Sequence, residues 1–176
     1  MKKVAVFLHG TIIQHKTALG HSREEIVQQV KAKTKNWILW NIFRRKGTVF
    51  DYHSYIPIGD SVQKLKNWKK DCANILYLSS HKTMNNVKKD KFVLKKYNFP
   101  KGKIFFRQSN EQYNDILERI IPDILIEDDC ESIGGRNKMT ITHVNPLLKK
   151  KIKSIIVKEF GGIDYLPDKI FRLKKV

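Results

Sequence analysis

Cysteine is scarce in this chain. Cys72 and Cys130 are the only two in 176 residues, and without C-x-x-C spacing they suggest neither a disulfide framework nor a zinc site. Long apolar runs are missing as well. No uninterrupted stretch approaches the ~18 residues of a membrane helix, which excludes a transmembrane anchor. The basic start Met1-Lys2-Lys3 leads into an apolar run that breaks at His9-Gly10 without a small-residue cleavage site. It reads as a first strand instead of a signal peptide, and the expected location is the cytoplasm. Negative charge is short, with 17 Asp and Glu against 35 Lys and Arg and a net charge of +18. Such a balance raises nucleic acid as a partner. Yet only seven of the basic residues are Arg, the better fork for phosphates and bases. The Lys residues are spread along solvated helix faces, apart from Lys149-Lys150-Lys151 with Lys153 and the tail Lys174-Lys175. Nucleic-acid binding is therefore not favoured as the main function, and a solubilising charge is the simpler account.

What is present is an ordinary globular composition, 41% hydrophobic and 30% charged, over a length that suits one domain, 1–176, with a sizeable core. Helix starts are legible. Ser22 with Glu25, Asp60 with Gln63, and Ser109 with Gln112 each fit a capping box. Apolar residues follow at helical spacing: Ile26, Val27 and Val30, then Val62, Leu65 and Trp68, then Tyr113, Ile116, Leu117 and Ile120. Asn145-Pro146 predicts a fourth start, carrying Leu147, Leu148 and Ile152. Between these lie strand-like runs: Lys3 to Leu8, Asn74 to Leu78, Lys103 to Phe106, Ile124 to Ile126, and Ser154 to Val157. The alternation of strand and helix predicts an α/β fold built from βαβ crossovers, a mainly parallel sheet covered on both faces, with sites at the strands' C-terminal ends.

Two of the runs end in polar or Gly residues in a way that carries a resemblance. Val4-Ala5-Val6-Phe7-Leu8-His9-Gly10-Thr11 and Asp123-Ile124-Leu125-Ile126-Glu127-Asp128-Asp129 are apolar, β-branched runs of the kind that form buried parallel strands. Together they resemble the first and fourth motifs of the haloacid dehalogenase superfamily of phosphatases, an apolar strand followed by D-x-D-G-T and an apolar strand followed by acidic residues. The resemblance implies a Rossmann-like three-layer sandwich with a small helical insertion after the first strand. Against the motif, Phe7 stands where the family has its nucleophilic Asp, and His9 where it has its acid/base Asp. Phe7 thus removes nucleophile and metal ligand together.

The resemblance assigns further residues. Ser79, ending the run Ile75-Leu76-Tyr77-Leu78, matches the second motif's Ser or Thr that grips a phosphate oxygen. Ser80, His81 and Lys82 then open the next helix, whose N-terminal N–H groups favour anions, although a simple cap by Ser80 or Thr83 competes evenly. For the third motif's basic residue, Arg107 is the candidate. Thr11 is retained and helps fix the loop after the first strand, where Gly10 gives freedom to turn. Glu127, Asp128 and Asp129 bring three carboxylates together, which resist ionising side by side unless a cation sits among them. Hard oxygen ligands suit Mg²⁺, with Asp128 the leading ligand and Asp129 next. Helix capping by one of the three is the plainer alternative. His9 could act as a general acid or base, its unperturbed pKa lying near neutrality, or be a hydrogen-bonded structural residue.

Residues 12–58 hold one good helix and the segment Trp37-Ile38-Leu39-Trp40-Asn41-Ile42-Phe43-Arg44-Arg45. In the family such an insertion forms a cap over the site. Packing of Trp37, Trp40 and Phe43 on the core is the alternative. Gly134-Gly135 and Gly161-Gly162, preceded by Glu131 and Glu159, suit close ligand approach or, more commonly, tight turns. Cys130 reads by default as a small buried thiol. His15, His21, His53 and His143 show no i, i+4 metal spacing.

Three functions follow as expectations. The first is a domain that binds a small phosphorylated molecule, with Mg²⁺, through His9, Thr11, Ser79 and Asp128 but without the standard phosphatase turnover. The second is an atypical Mg²⁺-dependent phosphatase using His9 or metal-activated water. The third is a basic module that binds nucleic acid or a protein partner.

Overall fold

The computed structural model describes residues 1–35 and 52–175. The aromatic-basic segment from Trp37 to Arg45 lies outside the described residues. Strand β1, Lys3–Phe7, is followed by the short β2, Ile13–His15, helix α1, Arg23–Lys35, β3, Tyr55–Pro57, and α2, Ser61–Lys70. Then come β4, Asn74–Ser79, α3, Met84–Lys96, β5, Lys103–Phe106, α4, Tyr113–Ile120, β6, Ile124–Asp128, a four-residue α5, Pro146–Lys149, and β7, Lys153–Val157.

Five of the strands form one sheet in the order β5-β4-β1-β6-β7, and all four pairings in it are parallel. β2 and β3 pair antiparallel in a separate two-stranded ribbon. Each of the five expected strands is present. They are runs of Val, Ile and Leu because a parallel strand flanked by helices is buried on both faces.

Side chains alternate across a strand, and the alternation sorts the core into two layers. Val4, Val6, Ile75, Tyr77, Ile124 and Ile126 face one way, against Leu65 and Trp68 of α2 and Val93 of α3. Ala5, Leu76, Leu78 and Leu125 face the other, against Ile116 and Leu117 of α4 and the irregular segment carrying Met139, Ile141 and Val144. This is the three-layer α/β sandwich expected. Trp68 is fully buried and its indole N–H donates to the Pro167 carbonyl at 2.9 Å, pinning the C-terminal segment to α2.

The expected caps hold in part. Ser22 and Glu25 make the reciprocal box, with the Ser22 N–H on Glu25 Oε2 at 2.7 Å and the Glu25 N–H on Ser22 Oγ at 3.3 Å. Asp60 precedes α2 without capping it through its side chain; its N–H is held by Asp164 at 2.8 Å. The box before α4 sits three residues later than Ser109 with Gln112, for the Gln112 N–H donates to Asp115 at 2.7 Å. Helix α3 starts at Met84 under a cap by Thr83, so Ser80, His81 and Lys82 form the connection before it.

Among the described residues no helix is long and apolar enough to cross a membrane. At the C-terminal edge the connection leaving β1 runs towards β4 while that leaving β6 runs towards β7. Adjacent loops diverge there, which opens a crevice at a topological switch point.

Candidate active site

The loop after β1 turns sharply. Ile12 and Ile13 both donate their N–H groups to the Leu8 carbonyl at 2.9 Å, and Gly10 takes φ +80°. A Cβ on Gly10 would lie 3.1 Å from Asp128 Oδ2 and 3.3 Å from Glu159 Cγ, so a glycine is what lets this loop close against the end of β6. Thr11, fully buried, donates its hydroxyl to Asp128 Oδ2 at 2.7 Å across the crevice.

The three carboxylates in sequence do not converge, because the strand alternates. Glu127 faces the α4 side and accepts the N–H groups of Thr140 and Ile141 at 2.7 and 3.0 Å. Asp128 faces the opposite side, with Thr11 on one oxygen and the Cys130 N–H on the other at 3.0 Å. Asp129 accepts the Glu159 N–H at 3.0 Å and faces Lys158 and Arg23 at 3.4 and 3.7 Å. Glu159 in turn takes the Ser132 N–H and hydroxyl, both at 2.6 Å. Burial raises Glu127, Asp128 and Glu159 above the usual carboxylate range despite these bonds. Burial also pushes the Cys130 thiol up, consistent with an inert group.

A second cluster lies at the ends of β1 and β4. His9 is held on both ring nitrogens, Nε2 at 3.0 Å from Asp90 Oδ1 and Nδ1 at 2.5 Å from Ser80 Oγ. A carboxylate only accepts, so in the neutral ring Nε2–H donates to Asp90 and Nδ1 is left to accept the Ser80 proton. Ser80 is exposed, whereas Asp90 is almost wholly buried. The rings of Tyr55 and His81 stand edge-on to His9 at 5.1 and 4.7 Å between centroids. His81 Nε2 lies 3.4 Å from the same Asp90 oxygen. Burial alone would raise Asp90, but the bonds and charges of His81 and His9 outweigh it and hold the carboxyl well below its usual range.

Ser79 is fully buried. It donates to Asp90 Oδ2 at 2.5 Å and accepts the His81 N–H at 3.1 Å, so its hydroxyl is turned into the protein. Phe7 packs edge-on against Tyr113 at 5.1 Å. The Tyr113 hydroxyl donates to the Ser79 carbonyl at 3.0 Å, and burial pushes it up to about 12. Over the Tyr113 ring lies the Arg107 guanidinium, 4.3 Å from the centroid, with its Nε buried and lacking a hydrogen-bond partner. Lys82 is exposed.

Of the residues expected from sequence, His9 and Ser80 thus join directly, Thr11 and Asp128 join across the crevice, and Glu127 points away from both pairs. Asp90 was not expected. Its signal was present in the sequence: Val87, Asp90 and Leu94 share the buried face of α3, and an acid on an apolar face needs partners. From the insertion, Tyr55 reaches His9. Arg23 reaches Glu131 at 2.6 Å and the Glu159 carbonyl at 2.9 Å.

No model of a known protein family matches the sequence, and no curated protein matches it either. Among solved structures, the chain is similar to the class C acid phosphatase from Bacillus anthracis, crystallised with tungstate bound. The TM-score is 0.51 at 16% identity, over 97% of this chain and 73% of that one. What the two share is the fold, a three-layer α/β sandwich with its parallel sheet between helical layers.

Proposed function

We propose that the C-terminal edge of the sheet binds a small phosphorylated molecule and cleaves its phosphate ester through Ser80 and His9, without the aspartyl route that Phe7 forecloses. The observation that carries this reading is the chain of two hydrogen bonds from the exposed Ser80 hydroxyl through His9 to the buried Asp90. A hydroxyl, an imidazole and a carboxylate in series are the parts of an activated nucleophile. In the reaction the Ser80 oxygen forms a bond to phosphorus as its proton passes to His9 Nδ1. The ester P–O bond breaks, and the departing alcohol takes that proton. Water then attacks the phosphoseryl group, gives a proton to His9 and releases phosphate, and the proton returns to Ser80. Asp90 holds the ring and offsets its positive charge. Arg107, whose Nε lacks a partner, and Lys82 supply charge for the phosphate oxygens.

Mg²⁺ enters this reading as a companion of the ligand's phosphate. Asp128 is the carboxylate at the crevice, Asp129 lies beside it, Glu127 is turned to Thr140 and Ile141, and Phe7 offers no oxygen. An ion that keeps most of its waters and takes one or two carboxylates plus phosphate fits such a donor set. From the insertion, Tyr55 and Arg23 border the site and supply contacts to it.

The test is phosphate release from a panel of phosphorylated metabolites, with thermal stability followed in the same samples with and without Mg²⁺. Turnover should fall about 100- to 10,000-fold in His9→Ala and be lost in Ser80→Ala. Mg²⁺ should shift stability only when phosphate is present, and not in Asp128→Asn. Release that survives both His9→Ala and Ser80→Ala would sink the mechanism. A second reading, binding without turnover, is favoured by the Phe7–Tyr113 contact, which fills the nucleophile's position with a ring. Ligand-dependent stabilisation without any release would establish it.

A further inference from the structure

His9 and His81 are 72 positions apart in sequence and sit on different strand ends, yet both rings turn a nitrogen towards one oxygen of Asp90. We infer that His9, His81 and Asp90 form a binding site for a single divalent metal ion of borderline softness, of the zinc class, separate from the carboxylates at the end of β6. The three ligand atoms all lie within 4.8 Å of one another. The two measured edges, 3.0 and 3.4 Å from the Asp90 oxygen to His9 Nε2 and His81 Nε2, bracket the roughly 3.3 Å between ligands of a tetrahedral ion with bonds of about 2.0 Å.

The donor chemistry selects the metal. Two imidazoles and one carboxylate suit zinc and its neighbours, whereas Mg²⁺ prefers oxygen throughout. Three protein ligands leave a fourth position for water or a ligand atom. The surrounding contacts are those a metal site requires. Ser79 holds the second Asp90 oxygen at 2.5 Å, and Ser80 holds the other His9 nitrogen at 2.5 Å, so carboxylate and ring are both oriented from behind. The route in is from the His9 side, whose side chain is 14% exposed beside the exposed Ser80.

Binding has a definite consequence for His9. An ion on Nε2 displaces the bond to Asp90 and places the ring proton on Nδ1, which then donates to Ser80 and can no longer accept from it. Metal-bound and proton-accepting His9 are therefore exclusive states. The site itself does not depend on Ser80 transferring phosphate.

Titrating metal-free protein with Co²⁺ tests the site by a readout independent of turnover. A visible absorption of tetrahedral type should saturate at one Co²⁺ per chain and be displaced by Zn²⁺. It should weaken by about 100-fold or more in His81→Asn, loss of a direct ligand exceeding the 10- to 100-fold typical of the supporting shell, and it should persist in Ser80→Ala. Absence of the absorption in the wild type, or its persistence in His81→Asn, would overturn the inference. Should His81→Asn fail to fold, histidine side-chain NMR of the wild type decides: Zn²⁺ must perturb His9 and His81 among the six histidines. Perturbation confined to the other four overturns the site, and because Ser80→Ala abolishes turnover while leaving all three metal ligands in place, with at most the 10- to 100-fold weakening of a supporting contact, the two readings fail separately.

Discussion

Replacing Asp90 by Asn tests whether the buried carboxylate is held by its partners or merely tolerated. The substitution keeps the shape and one oxygen and removes the charge. Two effects compete. Burying an ion costs several kcal/mol, which the amide avoids, but the ion receives bonds from Ser79 at 2.5 Å, His9 at 3.0 Å and, more weakly, His81 at 3.4 Å. The direction of the Asp90 shift says which wins, because its carboxyl stays below the usual range in spite of burial. The folded state therefore prefers the charged form, and a neutral isostere must cost stability. Hydrogen bonds to charged groups are worth about 1.5–3 kcal/mol against about 1 for neutral ones. Downgrading the two short ones costs roughly 2–3 kcal/mol in all. For a chain of this length that corresponds to a fall in Tm of about 4–12 °C. Urea unfolding at neutral pH with chelator present measures it directly. Asp168→Asn is the control: its side chain is 63% exposed in its pair with Lys64, and it should leave the unfolding midpoint almost unchanged. An Asp90→Asn protein as stable as wild type would refute the reasoning.

Stability should also peak on the acid side of neutrality. Glu127, Asp128 and Glu159 are raised by burial from ordinary values of 4.5, 3.8 and 4.5. Between those values and the raised ones the folded chain binds more protons than the unfolded, so stability increases as pH falls through that window. Below about pH 4 the depressed Asp90 and Asp123 reverse the sign, since there the unfolded chain binds more protons and stability falls with pH. A steady loss of stability from pH 7 downward would contradict the burial of these carboxylates. Gly10→Ala should cost about 1–3 kcal/mol, since φ is +80° and the new methyl would crowd Asp128. An unchanged unfolding midpoint would mean that the loop after β1 does not close on β6 as described.

The sheet was legible because each strand is buried on both faces and so reads as an unbroken apolar run between polar ends. β2 and β3 were not, being three residues each and paired with one another across the insertion; neither is long enough for alternation to show. Caps were legible where the side chain has no other duty, as at Ser22. They misled where a neighbour supplied a better partner, as with Asp164 holding the Asp60 N–H. Among the candidate residues, His9, Thr11, Ser80 and Asp128 stood out in the sequence because a short motif and a strand end mark them. Asp90 and His81 act through the tertiary meeting of α3 with two strand ends, which no local spacing records. The reading of Glu127, Asp128 and Asp129 as one cluster ignored the twofold period of a strand, which sends neighbours to opposite faces.

That same period explains what Phe7 does to the edge. Position 7 shares its face with Ala5, on the α4 side of the sheet, so the ring meets Tyr113, and Tyr113 meets both Arg107 and the Ser79 carbonyl. Phe7 thus ties the ends of β1, β4 and β5 together through apolar and ring contacts. An oxygen at position 7 would sit against the face of this stack, with burial working against its charge. His9 and His81 instead meet Asp90 of α3, and Ser80 meets His9. Nitrogen donors thus gather where β1 and β4 end and carboxylates where β6 ends, and Asp90 is the residue around which the first group is ordered.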